Sequence, residues 1–281
     1  MNWFFLAIIS VISISIANIY QRIVMKEPES DAYGSSVIFQ LLLAAITGCY
    51  ALYKGFVFPP IVEYWQFFII SAVFYAGGTL ALFHAIKRIG ASEVIIVSAL
   101  GAVVTIILAM ILLHEPFTVQ QAIGTLAILV SVIIVQGKIS LKNRAGIAFA
   151  ALGTSLYSVA VISDMFIIRH YDAVSYVSVI SLLPGLVLIM FQPSVLLRLK
   201  KICTPIYTKN IILYSGFYGI QAITYYLALE NGANVSQMSP IARSQVILTV
   251  ILAVIFLKEK NNLPRKILSS VLVTIGVMLI K

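Results

Sequence analysis

Residues 3 to 21 hold no charged side chain, and runs of this kind recur along the whole chain. A helix needs roughly 20 apolar residues to cross about 30 Å of hydrocarbon. Ten such runs fall at about 3–21, 33–53, 64–86, 92–113, 118–136, 145–168, 173–191, 209–229, 235–257 and 264–280. They are long and show no alternation of period two, which favours helices over a barrel. The separators carry breakers and charges, as at Lys26-Glu27-Pro28-Glu29, Pro59-Pro60, 138–144, 193–208 and Asn261-Asn262-Leu263-Pro264. Charged residues make up only 10% of the chain and hydrophobic ones 61%. A soluble domain carries about 25% charged residues, so that class is excluded. The first run lacks a basic leader and a small-residue cleavage site, so it is expected to stay as a helix. The sequence predicts an all-α integral membrane protein of ten transmembrane helices, with no room for a water-soluble domain.

The net charge of +9 does not point to nucleic acid, because no basic stretch is long enough to line a groove. Basic residues on membrane loops account for it instead. Fifteen of the 19 Lys and Arg fall on the loops after predicted helices 1, 3, 5, 7 and 9, from Arg22 and Lys26 to Arg265 and Lys266. Lys54, Arg169 and Lys281 lie on the opposite side, and Arg243 lies within a run. The positive-inside rule then puts the basic side in the cytoplasm and both termini outside a multi-pass cell-membrane protein. Cys49 and Cys203 stand alone and match neither a disulfide framework nor a metal spacing.

The two halves repeat one another. His84-Ala85-Ile86-Lys87-Arg88-Ile89-Gly90-Ala91-Ser92 leads into an apolar run that ends Leu113-His114-Glu115. Leu227-Ala228-Leu229-Glu230-Asn231-Gly232-Ala233-Asn234 leads into one that ends Leu257-Lys258-Glu259. The Gly-to-Glu spacing is 25 in one half and 27 in the other, and one more run follows each Glu. Five helices is an odd number, so a repeated five-helix unit enters the membrane in opposite senses, the inverted-repeat architecture of transporters. The expected units are 1–137 and 145–281.

These residues resemble the drug/metabolite transporter superfamily, and within it the ten-helix EamA-type proteins. Their usual pattern closes the fourth and ninth helices with Leu-Gly-Glu and has two glycines in the next helix. Glu115 and Glu259 match, while His114 and Lys258 stand where the glycine would be. Gly124 with Ser131, and Gly276 with Ser269, keep one of the two later glycines in each half. A proline often found near Ala102 and Val246 is absent, and Pro240 sits earlier. The resemblance implies export of amino acids and other small metabolites, or exchange of sugar phosphates and nucleotide sugars. It also implies cytoplasmic termini, against the charge count.

Ionisable groups within hydrocarbon are costly and mark candidate sites. Arg243 lies about eight residues into predicted helix 9, roughly 12 Å deep at 1.5 Å per residue. Its guanidinium could hold a carboxylate or phosphate in a bidentate fork, or serve only a structural ion pair. Asp164 lies at similar depth near the end of predicted helix 6. It is read as a partner of Arg243, switchable or permanent, or as a proton carrier. Tyr214, Tyr218, Gln221 and Tyr225 recur at i, i+4, i+7 and i+11 on one face of predicted helix 8. Tyr214 reads as an interfacial anchor, and Tyr218 and Gln221 as a cavity wall. Ser236, Ser239 and Arg243 share a face of predicted helix 9, beside Pro240. Asn18, Tyr157, Ser158, Tyr75 and Thr79 add polar groups, for which interhelical hydrogen bonding is an equal alternative. His84 reads as interfacial, Glu93, Glu115, Glu230 and Glu259 as caps or loop ion pairs, and Gly77-Gly78 as a site of close helix packing.

Absent motifs narrow the function. The sequence holds no Walker loop, no His-Glu-x-x-His, no Cys-x-x-Cys and no evident Ser/His/Asp set. Predicted helix 1 holds Ser10, Ser13, Ser15 and Asn18 but no central Glu, which weakens analogy to four-helix multidrug exporters. The expectation is a non-enzymatic secondary transporter that exports small polar metabolites such as amino acids by alternating access. It would need no cofactor or metal and would act as a monomer on a small-molecule substrate in a lipid bilayer. The substrate-binding candidates are Arg243, Asp164, Tyr218, Gln221, Tyr225, Ser239, Asn18, Tyr157, Tyr75 and Thr79. The alternatives are a proton-coupled exporter of amphipathic cations and, in another class, an intramembrane enzyme acting on a lipid-linked substrate.

Overall fold

The computed structural model describes residues 3–112, 118–136, 141–168, 170–231, 241–242, 245–259 and 261–280. Among these residues the chain is helical, with no strand. The helices are α1 (Trp3–Lys26), α2 (Ala32–Lys54), α3 (Ile61–Arg88), α4 (Ala91–Ser98), α5 (Leu100–Leu112) and α6 (Val119–Gln136) in the first half. The second half holds α7 (Leu141–Ile168), α8 (Ala173–Phe191), α9 (Val195–Ile202), α10 (Pro205–Glu230), α11 (Gln245–Phe256) and α12 (Leu263–Ile280).

Five stretches are long and apolar enough to cross a membrane: Trp3–Lys26, Ala32–Lys54, Ile61–Arg88, Arg144–Asp164 and Val174–Phe191. Shorter apolar helices cover Ala122–Ser131 and Gln245–Phe256. α10 is 26 residues long, and Tyr214, Tyr218, Gln221, Tyr225 and Tyr226 dilute its apolarity. The radial distribution of side chains is that of a membrane protein. Phe5, Leu126, Ile133, Met190, Phe191 and Ile255 face outward, while Ser15, Gln40, Thr47, Ser71, Thr79 and Asp164 are buried. Lipid replaces water around the apolar exterior, and polar groups find partners inside.

Helix pairing shows how the halves fit together. α1 packs on α10 and α3 on α7, so, leaving out the short α9, the first helix of each half lies against the third of the other. α2 pairs with α8 and α6 with α12, each with its own counterpart. The same relation repeats where α1 meets α11 and α5 meets α7. The close α3–α7 approach rests partly on Gly78, whose backbone lies against the ring of Tyr157 and the carbonyl of Gly153.

Two features depart from the sequence reading. The run expected to be continuous over 92–113 is interrupted by one turn residue, Ala99, between α4 and α5, with its backbone still in the right-handed helical region (φ −64°, ψ −20°). Hydroxyls of α7 take the carbonyls beside the break: Thr154 Oγ1 donates to Ser98 O (2.7 Å) and Ser158 Oγ to Gly101 O (2.8 Å). Satisfying backbone groups from a neighbouring helix is what allows a break in an apolar setting. The separator over 193–208 also contains α9, whose buried Val195 and Ile202 alternate with exposed Leu197, Arg198 and Lys200. It lies against α2, with Arg198 Nη1 3.8 Å from Asp31 Oδ2.

Candidate functional site

The polar positions that interrupt the apolar runs converge between the halves. Two chambers of about 240 and 270 Å³ lie end to end and share Tyr157, Tyr218 and Gln221. α3 runs alongside both. Ser71 and Tyr75 stand at the first chamber, Thr79 lies between the two, and Leu82 and Ile86 line the second. At 1.5 Å per residue this path covers roughly 22 Å of helix.

Where the chambers meet, three side chains from three helices form a continuous hydrogen-bonded chain. Gln40 Nε2 of α2 donates to Thr79 Oγ1 of α3 (2.9 Å), and Thr79 Oγ1 is 2.8 Å from the Tyr157 hydroxyl of α7. Tyr218 of α10 stands beside this chain and, like Tyr157, lines both chambers. Phe39 stacks on Tyr214 with ring centroids 4.5 Å apart and meets Tyr218 edge-on at 5.1 Å. This septum joins two helices of the first half to two of the second.

The first chamber contains Asp164, whose residue is 6% exposed. Its carboxylate accepts three hydroxyl hydrogen bonds. Ser71 Oγ (2.7 Å) and the Tyr176 hydroxyl donate to Oδ1, and the Tyr75 hydroxyl donates to Oδ2 (2.5 Å). Three hydroxyl donors orient the group, and because bonds to an ionised acceptor are about twice as strong as neutral ones, they favour its ionised form. Tyr171, in the turn before α8, donates to Val57 O (2.7 Å), and burial pushes its phenol up to about 12. The second chamber has a neutral polar lining that includes Asn18, Gln21, Ser98, Thr154 and Gln245. Asn18 Nδ2 also donates to Thr249 Oγ1 (3.3 Å).

A different carboxylate closes the far end, beyond the second chamber. Glu259 accepts from Ala91 N (3.0 Å), Ser92 N (3.4 Å) and Ser92 Oγ (2.6 Å), capping the N-terminus of α4 from the other half. Arg22 Nε lies 3.9 Å from its Oε1, and Lys266 Nζ lies 3.6 Å from its Oε2 and 3.7 Å from Glu93 Oε1. Arg22 also donates to Ile86 O. The carboxylate rests so close over Gly90 that any side chain there would strike it.

The sequence model of the EamA-like transporter family matches residues 1–137 and again 144–281. The chain belongs to the EamA-like transporter family. A solved crystal structure at 14% identity superposes on this EamA-like chain with a TM-score of 0.64, over 98% of this chain and 94% of the other. That likeness speaks to fold alone. An uncharacterised protein of Methanocaldococcus jannaschii is 36% identical over 66 residues, 24% of this chain and 48% of that protein. The chain thus spans about half the length of the curated relative it matches. The family match makes this a multi-pass membrane protein of a transporter family, built of two repeats.

Membership explains a departure noted in the sequence. Lys258 stands at the glycine of the family's Leu-Gly-Glu pattern, and its φ is 54°. Leu257 N and Glu259 N both reach back to Ala253 O (3.1 and 3.2 Å), so the helix end winds into the left-handed region and turns Glu259 toward α4. Glycine adopts this conformation without a Cβ penalty, and lysine adopts it here at a cost.

Of the ten residues read as substrate-binding, Asp164, Tyr75, Tyr157, Tyr218, Gln221 and Tyr225 line the first chamber, and Asn18 and Thr79 line the second. Arg243 and Ser239, with Ser236, Pro240, His114 and Glu115, lie outside the described residues. Among the described residues the partners of Asp164 are hydroxyls. Tyr214 corrects the anchor reading: it is 3% exposed and lines the second chamber, because α10 starts at Pro205 and carries it a further turn inward. Gln40, Ser71 and Tyr176 were missed. Gln40 interrupts an apolar run and could have been found, whereas a serine in a transmembrane run and a tyrosine near its start look ordinary.

Proposed function

We propose that this chain is a secondary transporter that exports a small polar metabolite, such as an amino acid, across the cell membrane by alternating access. Ten crossings arranged as two inverted five-helix repeats carry it, with both termini outside. The observation that supports this best is the pair of adjoining chambers between the halves, which meet at Gln40, Thr79, Tyr157 and Tyr218. A site reached in turn from either side needs a cavity along the pseudo-symmetry axis and a barrier at each end. The Glu259 cluster is the barrier on the basic, cytoplasmic side, and rocking of one half against the other must part it. Asp164, Tyr75, Tyr157, Tyr218, Gln221 and Tyr225 contact the solute in the first chamber, and Asn18 and Thr79 contact it in the second. Arg243 and Ser239 supply the anion-binding part of the site in this reading.

The test is counterflow in proteoliposomes loaded with unlabelled amino acids, organic acids or amines. Accumulation of the labelled counterpart above protein-free vesicles is expected for at least one class. Its absence for every class, or chemical conversion of an added lipid-linked substrate, would remove the transporter reading. A second reading, export of amphipathic cations, is favoured by the position of Asp164 in the first chamber.

A further inference from the structure

We infer that the first chamber is an ammonium site and that the transported solute carries a protonated amine, which pairs with Asp164. This rests on the transporter reading and names the substrate class for the same cavity.

Asp164 is the one carboxylate or basic group that lines either chamber among the described residues. A buried charge without a counter-charge is costly, and a protein meets that cost with a fixed partner, a proton or a mobile ion. The fixed partners here are the hydroxyls of Ser71, Tyr75 and Tyr176, which donate hydrogen bonds but bring no charge. An ionised carboxylate has about four lone-pair sites. Three are filled, two on Oδ1 and one on Oδ2, so an N–H donor has one place left, at Oδ2. Cradling by hydroxyls alone gives an oriented anion whose charge is still to be met by something that comes and goes.

The chamber walls fit the same ligand. Tyr75, Tyr157, Tyr218 and Tyr225 line it together with Phe39, and aromatic faces attract cations through the ring quadrupole. Gln40, Gln221 and Ser181 offer acceptors for the other N–H bonds of an ammonium. The chamber's volume of about 240 Å³ lies just below the roughly 300–1,000 Å³ of pockets for drug-sized ligands, which suits a small amine. A carboxylate without an amine meets a like charge in this chamber and is disfavoured there.

The test uses the full-length protein in detergent and three solutes of matched size: 3-phenylpropylammonium, phenylacetate and 3-phenylpropan-1-ol. The expected result is that the ammonium binds at least 10-fold more tightly than either of the others and raises the melting temperature. Asp164→Asn should lose that preference, and Asp164→Glu should keep part of it. The wild-type comparison stands even if a variant folds poorly. Equal binding of the three, preference for the acid, or unchanged ammonium binding in Asp164→Asn overturns the inference. If the acid is preferred and is exchanged by proteoliposomes, the ammonium site fails while the transporter reading holds. If nothing binds and nothing is exchanged, both fail.

Discussion

One carboxylate lines the first chamber, another is bonded to Ala91 at the second, and their surroundings differ in kind. Glu259 has cations and backbone amides around it: Arg22, Lys266, and the N–H groups of Ala91 and Ser92. Asp164 has the hydroxyls of Ser71, Tyr75 and Tyr176. The first arrangement neutralises its charge permanently and ties four helix ends together. The second supplies hydrogen bonds to the carboxyl group but, among the described residues, no opposite charge. The contrast separates a carboxylate that holds the fold closed from one built to receive a cation.

The largest expected effect is at the closed end. Glu259→Gln leaves Lys266, whose side chain is 3% exposed, and Arg22 short of negative charge. Removing one partner of a buried pair costs about 3–5 kcal/mol, and Glu93 beside Lys266 keeps the loss near the lower figure. Thermal or SDS unfolding in detergent would read it, and an unchanged midpoint would break the comparison at its first term. Next is Gly90→Ala, which pushes a methyl into the Glu259 carboxylate and should cost about 1–3 kcal/mol as overpacking. If Glu259→Gln makes the glycine change no milder, the carboxylate is not what crowds Gly90.

At the other end, Tyr75→Phe removes one hydroxyl donor from Asp164. A hydrogen bond to a charged group is worth about 1.5–3 kcal/mol and a neutral one about 1, so the size of the loss reports whether Asp164 is ionised. A loss under about 1 kcal/mol in unfolding would mean a protonated acid and would weaken the ammonium site. The smallest expected change in stability is Asp164→Asn, below about 1 kcal/mol, because the amide oxygen still accepts from Ser71 and Tyr176, the amide NH2 can donate to the Tyr75 oxygen in place of the lost bond, and the change sheds a buried charge. A loss as large as that of Glu259→Gln would make Asp164 a structural carboxylate and erase the contrast.

Much of this was legible in the sequence, for reasons that particular residues make plain. The paired Gly-Ala and Leu-x-Glu marks revealed the repeat because both serve one contact, Glu259 over Gly90 and Ala91. The stripe on α10 was readable because Tyr214, Tyr218, Gln221 and Tyr225 keep helical spacing in an apolar run. What escaped depends on three dimensions. Ser71 and Tyr176 matter only because α3 and α8 bring them to Asp164. The break at Ala99 carries no proline signal, since its compensation lies in Thr154 and Ser158 of another helix. Spacing along one segment cannot express a partner on another helix.

The central claim is that solute passes through both chambers past the septum, and Gln221, which lines both, is the place to test it. The exposed free thiols Cys49 and Cys203 are first replaced by serine, and Gln221→Cys is then introduced. Counterflow in proteoliposomes is measured before and after labelling with a bulky thiol reagent. The account predicts that labelling brings exchange down to the level of protein-free vesicles and that an excess of transported solute slows the labelling. Exchange at the unlabelled rate in fully labelled protein would contradict it.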